Sequence, residues 1–108
     1  MSTVQIKIAD VVEAACQLGR LQPSQVLGPC RKKHIAEWRQ RAYVAAYRVT
    51  GQSLPVVGRH IGGRDHTTVL YAVRRVMNGD AALAEGAMAV AVRAYEIASM
   101  RRDERVAA

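Results

Sequence analysis

Aromatic residues are scarce in this 108-residue sequence, at 5%, with one tryptophan, four tyrosines and no phenylalanine. A core built instead from Ala, Val, Ile and Leu suits close-packed helices better than a β-sandwich, whose strands favour bulky aromatic and β-branched residues. Cysteine is limited to Cys16 and Cys30, with no CxxC pair and no histidine spacing that would complete a zinc site. Both are expected as reduced, partly buried thiols. His34, His60 and His66 are too scattered to form a ligand set, so no metal or other cofactor is expected. No apolar run approaches the roughly 18 residues of a membrane span, and no basic-then-apolar signal segment opens the chain. The reading therefore predicts a soluble, cytoplasmic protein without a membrane partner. None of the eight glycines precedes lysine, so the phosphate-cradling G-x-x-x-x-G-K-[ST] loop is absent. The length fits one small domain and predicts no nucleotide-hydrolysing module beside it. No nucleophile and base pair, carboxylate pair or metal cluster stands out, and an enzyme is not expected.

Acidic residues are also few, and they are almost missing where the basic ones gather. From Arg31 to Arg75 ten Lys and Arg face only Glu37 and Asp65, a local charge of +8 within a chain of net +7. Such a block suits a polyanion, because phosphate contacts by Lys and Arg release condensed counterions. A solvated basic surface is the plainer reading of the same charges.

Apolar spacing and capping residues predict an all-α fold, a small helical bundle. Helices are expected at about Ile6 to Leu18, stopped by Gly19, at Pro23 to Leu27, and at Lys33 to Thr50. The third would turn Ile35, Trp38, Ala42, Ala45, Ala46 and Val49 inward and keep Arg39, Gln40 and Arg48 among its polar positions. Ser53 as cap and Pro55 in the first turn open a short helix, Leu54 to Ile61. Gly62 and Gly63 can take the positive φ of a tight turn. Asp65 then caps a helix from His66 to Asn78. A short helix, a glycine turn and a longer helix form a helix-turn-helix.

The two sides of the second of these helices differ in chemistry. Val69, Val73 and Val76 fall within about 60° of one another at 100° per residue, while Thr67, Tyr71, Arg74, Arg75 and Asn78 occupy the other side. His66, Thr67 and Thr68 fill the first turn, the part of a recognition helix that points at base edges. A Thr methyl can pack on the thymine methyl, and a hydroxyl or imidazole can reach a base or phosphate. The same three residues also fit plain first-turn positions.

The run Gly62-Gly63-Arg64-Asp65-His66-Thr67-Thr68-Val69-Leu70, with Ser53-Leu54-Pro55 and Gly58 before it, closely resembles the C-terminal DNA-binding domain (domain IV) of the bacterial replication initiator DnaA. The match extends back through Arg39-Gln40 to Arg31 and more weakly to the first helix. The resemblance implies double-stranded DNA as partner and assigns contacts residue by residue. Arg31, in a basic approach with Lys32 and Lys33, falls where the family inserts an arginine into the minor groove. Arg39 and Gln40 match further contacts at the start of the long helix. Leu54 and Pro55 match a helix start close to DNA, where backbone N–H groups can take a phosphate. His66, Thr67 and Thr68, with Arg64 and Asp65 beside them, match the residues that read the major groove of the DnaA box, Asp65 serving as helix cap first.

Departures from the family accompany the matches. Ile61 stands where Phe is usual, Trp38 where Pro is common, and Glu37 where a basic residue is expected, while Tyr71 and Arg59 are also unusual. These imply an altered or relaxed site preference. Domain bounds of 1–78 for the helix-turn-helix unit and 79–108 for a C-terminal helix follow. Leu83, Ala87, Val90, Ala94 and Ile97 make a seam on that helix that would pack on the domain, pair with a second copy as a homodimer, or dock on another protein. The function expected is a nucleoid-associated reader of DnaA-box-like sites, a transcription or replication regulator without ATPase activity. The alternative is a protein-interaction module of the same fold, binding a partner through its basic face or C-terminal helix.

Overall fold

The computed structural model describes the backbone of residues 4–107 and the side chains of residues 4–103. Residues 1–3 and 108 of the expected domain bounds lie outside the described residues. The fold is all-helical, with α1 Ile8–Gly19, α2 Pro23–Leu27, α3 Lys33–Val49, α4 Leu54–His60, α5 His66–Met77 and α6 Ala81–Ala107. The expected bundle, its helix-turn-helix and its C-terminal helix are all present.

Helix α3 is the hub, because α1, α4, α5 and α6 all pack against it. Its run Ala42, Tyr43, Val44, Ala45 and Ala46 is buried on every side. Alanines at three of those five positions let neighbouring helix axes approach closely, which an amphipathic surface helix would not need. Thr50 closes α3 by donating its hydroxyl to the Ala46 carbonyl at 2.7 Å.

Gly19 does not stop α1 as the sequence suggested. The helix runs through it, and Arg20 takes the left-handed conformation (φ 55°) that ends the helix. The reason is space: a Cβ on Gly19 would lie 2.9 Å from atoms of the Trp38 ring. Trp38 thus packs on the end of α1. At the other end of α1 the Asp10 carboxylate is buried and accepts the Lys7 backbone N–H at 2.8 Å.

Helix α6 lies on α1 and α3. Its seam residues Leu83, Ala87, Val90, Ala94 and Ile97 are all buried in the common core. Asp80 starts the helix by accepting the Leu83 N–H at 3.0 Å. A mid-helix glycine normally costs about 1 kcal/mol against alanine. Gly86 is needed here because a Cβ would sit 2.5 Å from Arg41 Nε, and the Arg41 guanidinium in turn covers the Trp38 ring at 4.3 Å from its centroid. Arg93 to Gln17 (2.7 Å) and Arg101 to Asp10 complete the attachment to α1.

Candidate nucleic-acid interface

The helix-turn-helix is assembled by capping and by glycine, as its sequence suggested. Ser53 Oγ accepts the Val56 N–H at 3.4 Å and begins α4. Gly62 and Gly63 take φ of 85° and 63°, the left-handed region that a side chain resists. The turn closes with the Arg64 N–H donating to the Gly58 carbonyl at 2.8 Å. Val57, Ile61, Val69 and Ala72 are buried between α4, α5 and α3, so α5 is fixed by its apolar side. Ile61 is fully buried.

The opposite side of α5 is open. His66, Thr67, Thr68, Tyr71 and Arg74 are all exposed, with Tyr71 at 70%. Asp65 occupies the N-cap position, but its side chain makes no cap bond. Its carboxylate instead meets His66 Nδ1 at 2.8 Å, which orients the imidazole and favours a proton on that nitrogen. This corrects the expectation that Asp65 acts first as a cap. Its backbone still begins the helix, since the Asp65 carbonyl accepts the Thr68 N–H at 3.1 Å.

The basic approach behaves differently from one residue to the next. Arg31, Lys32 and Lys33 are exposed. Arg39 is not: only 7% of it is accessible. Its Nε donates to the Val26 carbonyl at 2.7 Å, Nη1 to Cys30 at 3.0 Å, and Nη2 to Gln25 and Gly28 at 2.8 and 3.0 Å. Burial, and then the neighbouring Arg64 charge, pull its pKa below the usual arginine range, although a guanidinium stays charged at neutral pH. Arg39 therefore departs from its expected role as an outward contact. The periodicity of α3 placed it among polar positions, but its acceptors lie at the end of α2 and in the turn after it, between nine and fourteen residues earlier, which helical spacing cannot reveal.

Arg64 is half-buried and points the same way, donating to the carbonyls of Ile61 at 3.1 Å, Leu27 and Gly28. Gln40, also half-buried, accepts from Arg75, whose other nitrogen reaches Asp80 at 2.5 Å. Leu54 is half-buried and Pro55 exposed at the start of α4. Pro55 has no N–H and the Val56 N–H is held by Ser53, so few backbone donors are left there for a phosphate.

Between α3 and α5 runs a cleft of about 500 Å³ lined by Gln40, Tyr43, Arg64, Thr67, Thr68 and Tyr71 among others. Sequence reasoning missed Tyr43, which looks like a core residue by spacing. Its hydroxyl is buried without a hydrogen-bond partner among the described residues. Burial pushes the phenol pKa up, with the Arg64 and Arg39 charges pulling the other way. Among the described residues no group of His, Cys, Asp and Glu could hold a metal ion, and no helix is long and apolar enough to cross a membrane. The combined geometry is an exposed hydroxyl and imidazole edge on α5, with Arg31 sharing a surface hollow with Gly62 and Arg64 of the turn before it.

The family model for the bacterial DnaA protein helix-turn-helix matches residues 8–76. Curated relatives include the chromosomal replication initiator protein DnaA of Caulobacter vibrioides, 42% identical over 72 residues that cover 67% of this chain and 15% of that protein. The protein of the same name from Jannaschia sp. is 34% identical over 86 residues, 77% of this chain and 18% of the relative. That from Rhodopseudomonas palustris is 39% identical over 84 residues, 75% and 18% respectively. The matched region thus spans less than a fifth of these relatives' length.

Proposed function

Because this chain belongs to the bacterial DnaA helix-turn-helix family, a family of DNA-binding domains, we propose that it is a sequence-specific reader of double-stranded DNA. Its sites would resemble the DnaA box, and its role would be that of a transcription or replication regulator. One observation carries this reading: the first turn of α5 presents His66, Thr67 and Thr68 to solvent, and the exposed Arg31, which leads into Lys32 and Lys33, lines one surface hollow with Gly62 and Arg64 of the turn before that helix. In the proposed complex α5 enters the major groove. Arg31 enters the neighbouring minor groove, where a narrow A·T-rich segment concentrates negative potential. Lys32, Lys33 and Arg74 neutralise phosphates, which makes binding steeply salt-dependent.

The test is a gel shift with a DnaA-box duplex and a scrambled duplex at moderate salt. His66→Ala or Thr67→Ala is expected to lose about 1–3 kcal/mol on the box and much less on the scrambled sequence. Equal losses on both would defeat base reading.

The second reading, a protein-interaction module in which the partner is a second copy or another protein, draws on α6. Met88, Val92 and Tyr95 lie at helical spacing on its outer side and are 60%, 54% and 53% exposed. Failure of the wild-type chain to retain either duplex in the gel shift would favour it.

A further inference from the structure

The two buried or half-buried arginines of the basic region share one acceptor. Arg39 Nη2 and Arg64 Nη2 both donate to the carbonyl of Gly28. Around that point they collect the carbonyls of Gln25, Val26, Leu27 and Cys30, so the last three residues of α2 and the turn after it have oxygens aimed at two guanidiniums. The last carbonyls of a helix have no partner within it and the turn that follows has no ladder of its own, and a buried unpaired carbonyl is strongly unfavourable. Two like charges are held close together with no carboxylate beside them, an arrangement that would be disfavoured unless the hydrogen bonds outweighed the repulsion.

The turn glycine is shaped to the same purpose. A Cβ on Gly62 would collide with the Arg64 guanidinium and crowd the Leu27 carbonyl. Arg64 also donates to Ile61, so one side chain spans from the helix-turn-helix turn to the loop that precedes Arg31. From the other side Arg39, on α3, holds that loop at the Cys30 carbonyl, the peptide unit that leads directly into Arg31.

We propose that Arg39 and Arg64 form a clamp that fixes the Arg31 loop relative to the turn carrying α5, acting as positioning residues for DNA reading and not as contacts themselves. The inference rests on the DNA-reading function proposed above. Its content is that the minor-groove and major-groove elements are registered to each other by protein backbone, through guanidinium forks. A lysine cannot do this. It carries the same charge on a single nitrogen and cannot span four carbonyls in the planar geometry of a guanidinium.

The test uses the full chain and three variants, Arg39→Lys, Arg31→Ala and the double variant, with amide exchange of the DNA-free protein and binding to box and scrambled duplexes over a salt series. The clamp predicts faster exchange across Val26 to Lys32 in Arg39→Lys while the α3 core stays protected. It predicts about tenfold weaker box binding although charge is conserved. It also predicts that Arg31→Ala adds little once Arg39 is lysine, because a misplaced arginine has little left to lose. Wild-type exchange across the loop together with wild-type affinity in Arg39→Lys would overturn the proposal, as would strictly additive losses with Arg31→Ala. If Arg39→Lys fails to fold, Arg64→Lys, at a half-exposed position, carries the same expectations. A wild-type chain that prefers neither duplex would instead defeat the DNA-reading function, and loop exchange would still decide whether the clamp holds the loop.

Discussion

Asp80 shows how much one side chain can connect. One carboxylate oxygen accepts the Leu83 N–H that starts α6, and the other takes the Arg75 guanidinium, which also holds Gln40. The backbone bond first, and Arg75 second, hold the Asp80 carboxyl below its ordinary value of 3.8. A carboxylate whose folded pKa is depressed contributes stability that is fully present above the unfolded value and disappears as pH falls through the folded one. Asp80→Asn keeps a good capping residue and removes the charge. Its melting temperature is therefore expected to lie below wild type at neutral pH, with the gap closing as the pH drops below 3.8. Thermal melts of both proteins from neutral to acid pH check this, and a gap that persists unchanged in acid would contradict it.

At the scale of elements, legibility depended on whether the cause was local. Helices α4 and α5 and their turn could be read directly, because Ser53, Pro55 and the Gly62-Gly63 pair act within a few residues of where they stand. The exposed edge of α5 followed from its period. What could not be read were decisions made across the bundle: Gly19 serves Trp38 on another helix, Gly86 serves Arg41, and Arg39 serves a loop. Asp65 was misread because its carboxylate has a nearer partner in His66 than the backbone it was expected to cap. The seam on α6 was legible, while the sequence left its partner open. In the structure that seam is part of the core, and Leu83 is 6% exposed. Leu83→Ala is expected to destabilise the fold by about 2–5 kcal/mol, the range for a truncated buried leucine. Urea unfolding measures this directly, and a loss under about 0.5 kcal/mol, typical of a surface change, would place α6 outside the cooperative unit.

Over the whole molecule, the far end of α6 is tied to the beginning of α1. Arg101 pairs with the buried Asp10, whose other oxygen accepts the Lys7 N–H. Removing Arg101 leaves a carboxylate at 3% side-chain exposure with only its backbone partner. Arg101→Ala should therefore lower stability by about 1–3 kcal/mol, the penalty for stranding a buried polar group, readable as a lower melting temperature at neutral pH. DNA affinity should be unchanged, because the pair lies on elements that contribute no residue to the reading edge.

The same arginine also donates to the Gln5 carbonyl at 3.4 Å, which brings positions 5 and 101 side by side although they stand almost a full chain apart. Between those two positions the described backbone leaves and returns to one region of the surface. A flexible linker long enough to span from the end of α6 back to Gln5 would close that path, and the exposed Gly51-Gln52 connection between α3 and α4 offers a place to reopen it without cutting a helix. Such a circularly permuted chain would keep the helix-turn-helix whole while moving its own ends beside the turn that begins α4.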